Sequence, residues 1–149
     1  MNKLDKQLLL TYILTLVVAI GCYLYFEFCV PKVASVASKP GFSDAQYMTE
    51  VVTDLLAILF VYLSTRMMRM PKVMRSIASN NARYAQWAYL RWAMLAVVIF
   101  LGEGVHYFYH SPSTVGCPII GCLAMFFVWP TSGRREGEIK AANEFGQHE

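Results

Sequence analysis

Four long apolar runs divide the chain, separated by short stretches that are basic, polar or rich in Pro, Gly and Ser. They cover roughly Leu8 to Val30, Tyr47 to Thr65, Ala85 to His110 and Thr114 to Trp129. A helix rising ~1.5 Å per residue needs roughly 20 residues to cross about 30 Å of hydrocarbon. Each run reaches or nearly reaches that length. The fourth is the shortest, and either starts with a Pro118 first turn or crosses where the bilayer thins. The pattern predicts an all-α integral membrane protein with a four-transmembrane-helix bundle in residues 1–130. A polar tail, 131–149, follows, partly disordered and with room for a short helix from Arg135 to Phe145.

Composition supports this reading: 56% of the 149 residues are apolar and only 15% charged, too greasy for an ordinary soluble domain. The net charge of +3 does not point to nucleic acid, because the basic residues flank the apolar runs. Lys3 and Lys6 precede the first run; Arg66, Arg69, Lys72, Arg75 and Arg83 lie between the second and third; Arg134, Arg135 and Lys140 follow the fourth. Only Lys32 and Lys39 lie in the first loop. The positive-inside rule then places both termini and the middle loop in the cytoplasm. Anionic headgroups are the expected partners of the Arg66 to Arg83 stretch, whose methionines would meet acyl chains. The first run is too long for the core of a cleaved signal peptide and reads as an uncleaved helix.

Charges inside the apolar runs are costly and mark where chemistry or architecture is concentrated. Glu50 and Asp54, four residues apart, share one face of the second helix. Arg91 lies in Leu90-Arg91-Trp92, about 12 Å outward of Arg83 by helical rise. It either snorkels to the headgroups or pairs within the bundle. Asp54, within about 6 Å of it in estimated depth, is the expected partner in a buried ion pair.

Farther along, Glu103, His106 and His110 follow an i, i+3, i+7 pattern within about 60° of helix surface. With Glu50 and Glu27 at similar depth, they form a candidate outer-leaflet patch for a divalent metal, a haem, a quinone headgroup or protons. The competing reading is hydrated histidines and a solvated acid at an aromatic interface. There is no second Glu-x-x-His for a di-iron site and no zincin motif. No Ser-His-Asp set or Gly-rich phosphate loop appears, so the chain reads as non-enzymatic and a bound cofactor is not expected from its motifs.

Cys22, Cys29, Cys117 and Cys122 fall in the outer halves of the first and fourth helices. In outline this resembles the four-helix quinone-linked thiol oxidoreductases, but the Cys-x-x-Cys pair of that group is missing. Thiols seven residues apart on a helix are too distant to bridge each other. A bond from Cys29 to Cys117 and free thiols packed as small apolar groups are the two remaining readings.

The layout, the basic residue in Leu90-Arg91-Trp92-Ala93-Met94-Leu95, and a short last helix with Pro130 at its exit together resemble the ATP synthase protein I group. Where that family often carries Gly-Glu, this chain has Trp87 and Ala88. The resemblance implies a small accessory or assembly protein of the bacterial inner membrane. Its partner would be a larger membrane complex such as ATP synthase, with a homo-oligomer as the other arrangement.

Overall fold

The computed structural model describes residues 3–29, 42–109 and 113–147. Among these residues the chain is all-helical, with six α-helices, two short 3-10 turns and no strand. They are α1 (Lys3–Phe28), α2 (Phe42–Arg66), α3 (Pro71–Ser79), α4 (Arg83–Tyr109), α5 (Gly116–Phe127) and α6 (Ser132–Gln147). Three stretches are long and apolar enough to cross a membrane: Lys3–Phe28, Asp44–Arg69 and Arg83–Tyr109. Together they fit a multi-pass helical membrane bundle.

The fourth expected crossing is shorter than its sequence run. α5 has 12 residues, or about 18 Å of rise, and reaches the length of a span only if α6, bent from it by 78°, is counted with it. The bend follows Trp129-Pro130, where proline interrupts the helical hydrogen bonding. α5 runs antiparallel to α4 and very close to it. A Cβ at Gly102 would stand 2.6 Å from Pro118 Cδ, and one at Gly121 2.7 Å from Ile99 Cγ1. These two glycines let the backbones approach as small residues do in membrane bundles.

α4 is the central post. Its buried residues include Tyr84, Ala88, Arg91, Leu95, Val98, Ile99, Gly102 and Glu103, spread over more than one face. Half of its apolar window is buried, against 22% for α1 and 28% for α2, which flank it. Ala57 of α2, Val98 of α4 and Cys117 of α5 form one small core. Tyr12, Ala19, Leu95, Ile99, Ala124 and Met125 form a second, joining α1, α4 and α5.

A third core closes one end of the bundle. Pro71 forces Met70 into extended backbone (φ −73°, ψ 136°) and then opens α3 from its first turn. α3 buries Val73 and Ile77, one helical turn apart. These join Leu8, Met67, Met68, Tyr84, Ala88 and Ala142. The start of α1, the turn that follows α2, the start of α4 and both α3 and α6 therefore meet in one cap.

Within the polar tail expected over 131–149, Ser132–Gln147 forms α6 and joins the cap. α6 extends beyond the expected Arg135–Phe145 helix, fully buries Ala142, and packs on α3, where a Cβ at Gly146 would lie 3.0 Å from Ala78 Cβ.

Candidate functional site

Two groups of polar residues stand out, one beneath the cap and one toward the other end of α4. The first centres on Arg91, only 2% exposed. Its NH1 donates to Glu138 Oε1 of α6 at 3.0 Å. The same oxygen accepts from Arg134 Nε at 3.0 Å, and the Tyr84 hydroxyl donates to Glu138 Oε2 at 2.8 Å. Arg134 also reaches the Phe127 carbonyl, satisfying an orphan acceptor at the end of α5. Beside this, Arg135 NH1 lies 3.1 Å from Asp5 Oδ1, tying α6 to the first turn of α1.

One carboxylate thus faces two guanidiniums and a phenol. Burial pushes the Glu138 carboxyl up, but the Arg91 charge and the hydrogen bonds from Arg91, Tyr84 and Arg134 outweigh it, holding it below the ordinary value of 4.5. Arg91 Nε is the one wholly enclosed side-chain nitrogen or oxygen atom among the described residues with no hydrogen-bond partner.

The expected Asp54–Arg91 pair is not formed. Asp54 instead accepts a hydrogen bond from Cys117 Sγ at 3.0 Å. The reason is register: Ala57 packs beside Val98, so Arg91 lies seven residues from that level toward the cap and Asp54 three residues from it on the other side. At ~1.5 Å per residue the two are about 15 Å apart along the bundle. Depth measured from Arg83 had placed Arg91 too far out, because the first turns of α4 belong to the cap.

The second group is the expected Glu103, His106, His110 and Glu50 patch. Glu103 is buried, at 6% exposure. His106 is half-buried, and its ring stacks on Tyr23 of α1 at 6.1 Å. Glu50 accepts from Gln46 Nε2 on its own helix at 2.8 Å. His110 lies outside the described residues, as do most of the first loop and residues 111 and 112. Among the described residues no three His, Cys, Asp or Glu side chains converge as a metal site. Of the expected set, Glu50 on α2 and Glu103 and His106 on α4 are described, and His110 is not. Glu27 lies exposed near the end of α1.

All four cysteines are free: Cys117 is buried, Cys22 and Cys122 half-buried and Cys29 exposed. No Cys29–Cys117 bridge forms.

No family model matches the chain, and neither a curated protein nor a solved structure matches it.

Sequence reasoning missed Glu138, Arg134 and Tyr84. A signal was present: Arg134 and Glu138 are four residues apart, and Ile139 and Ala142 line up as an apolar stripe on the same short helix.

Proposed function

We propose that this chain is a non-enzymatic accessory protein of the bacterial inner membrane that docks sideways on a larger membrane complex, with both termini in the cytoplasm. The observation that carries this reading is how little of the two flanking helices the chain covers by itself. α1 and α2 leave roughly three quarters of their apolar windows unburied, whereas α4 is half enclosed. The uncovered faces are long and apolar, offered to lipid and to partner helices alike.

The cap supports the orientation. Lys3, Lys6, Arg66, Arg69, Lys72, Arg75 and Arg83 are all exposed at this end, against the exposed acids Glu136 and Glu144, of which Glu144 lies 3.9 Å from Lys140, while Glu138 and Asp5 are taken up by Arg91, Arg134 and Arg135. Such a cationic girdle belongs on the cytoplasmic leaflet and meets its anionic headgroups. The resemblance in layout to the ATP synthase protein I group makes ATP synthase the first complex to test.

The test is to tag the protein at its native level, extract it in mild detergent and resolve the extract on a native gel. Comigration with one multi-subunit complex at fixed stoichiometry is the expected result. Migration as a single chain or small homo-oligomer, with the complex intact in the same extract, would overturn the docking role.

A further inference from the structure

Between α1, α4 and α5 lies a cleft of about 420 Å³. Its walls are almost wholly apolar, with Leu16 and Ile20 on α1 and Ile119, Leu123 and Phe126 on α5. The outer rim is open, since Ile20, Ile119, Leu123 and Phe126 are each about half exposed or more. Glu103 of α4 also lines this cleft, although it is only 6% exposed. Among the described residues no hydrogen bond or ion pair reaches its carboxyl group. The titratable neighbours sharing the cleft are Tyr23 on α1 and Cys122 on α5, and His106 lies one turn along α4, stacked on Tyr23. No lysine or arginine lines it.

A carboxyl group in an apolar environment without a compensating contact costs several kcal/mol, and polar residues inside membrane spans are ordinarily paired. Arg91, in the same helix, follows that rule through Glu138. Glu103 does not, and it borders an open, apolar space with aromatic rings at Tyr23 and Phe126.

We infer that this cleft is a binding site for a hydrophobic organic monocation, with Glu103 as the counter-ion and the α1 and α5 side chains as the apolar walls. Charge complementarity selects the ligand class, because the cleft holds an acid and no base. The Tyr23 and Phe126 rings add cation–π attraction, which strengthens when desolvated. Lipid access through the rim lets such a molecule enter from the bilayer. The site rests on the membrane reading of the bundle and is independent of docking on a larger complex.

The test uses tetraphenylphosphonium binding to the purified full chain in detergent, measured by equilibrium dialysis. Tetraphenylborate, of similar shape and opposite charge, is the control. Saturable phosphonium binding that weakens more than about tenfold in Glu103→Gln, with the borate at least about tenfold weaker in the wild type, is the expected result. Ile119→Trp, which fills the cleft from an exposed rim position, should abolish binding while leaving the helical content unchanged, and it decides the matter if Glu103→Gln does not fold. Absence of saturable binding in the wild type, equal binding of the two ions, or undiminished binding by Ile119→Trp would each overturn the assignment.

Discussion

Arg91 and Glu138 meet at 3.0 Å, joining the middle of the chain to a helix that lies beyond its last apolar run. The pair is the keystone of the cap: it seats α6 against α4, and Arg134 and Tyr84 close around the same carboxylate. Removing one partner of a buried pair leaves an uncompensated charge and costs about 3–5 kcal/mol.

Arg91→Gln and Glu138→Gln are each expected to destabilise the detergent-solubilised protein by about 3 kcal/mol, and the double variant by less than their sum. Asp54→Asn combined with Arg91→Gln should instead be additive, because the two side chains share no contact. Denaturant unfolding followed by circular dichroism checks both cycles. Additivity for Arg91 and Glu138 would remove the keystone role.

Acid should open the cap. Glu138 has a folded-state pKa below its ordinary value of 4.5, so the stability it contributes is present above that ordinary value. It is lost as pH falls through the lowered folded value. Melting temperature should therefore drop on acidification below the usual carboxylate range, and Glu138→Gln should flatten that part of the profile. An acid limb of equal size in wild type and variant would assign the effect to other carboxylates.

The α4–α5 contact gives a paired test. Gly102→Ala places a methyl group 2.6 Å from Pro118 Cδ and 2.8 Å from Cys117 Cβ, and overpacking of this kind costs about 1–3 kcal/mol. Gly104→Ala, with nothing within 4 Å of the new carbon, should be neutral within about 0.5 kcal/mol. Equal effects in thermal unfolding would contradict the close approach.

Glu103, at 6% exposure, should be retained at a cost in stability. Glu103→Leu is expected to stabilise the protein by about 1–3 kcal/mol by removing from the wall of an apolar cleft a carboxyl group that no hydrogen bond reaches among the described residues. A destabilised variant would mean that the carboxyl group is satisfied in the folded protein after all.

Cysteine accessibility reads the proposed orientation. Cys29 is exposed just past the end of α1, whereas Cys117 is buried. A membrane-impermeant maleimide applied to intact spheroplasts should label Cys29 and spare Cys117. Labelling of Cys29 only after permeabilisation would invert the bundle.

Much of this architecture was legible in the apolar runs, because a span needs length and hydropathy and both are local properties. Arg91 was legible too, as a charge that such a run does not tolerate without a reason. Its partner was not. Depth counted from Arg83 assumed that α4 enters the bilayer at its first residue, whereas its opening turns pack on α3 and α6 through Tyr84 and Ala88. Glu138 was hidden by composition: Ser132–Gln147 reads as a solvated tail, and only a stripe of Ile139 and Ala142 betrays a buried face. The Glu103 and His106 alignment followed from helical period alone. Which neighbouring helix each residue faces, α5 with its Cys122 or α1 with its Tyr23, depends on packing that no single helix encodes.

The 47 residues that separate Arg91 from Glu138 in sequence impose an order on biosynthesis. Arg91 leaves the ribosome first and enters the insertion machinery before its counter-ion has been translated. Until α5 and α6 have emerged, the guanidinium has only headgroups and water to turn to. Closure of the bundle is therefore a late event in synthesis, and a chain cut between α5 and α6 would carry a permanently uncompensated cation, a mark by which membrane quality control can tell it from the finished protein.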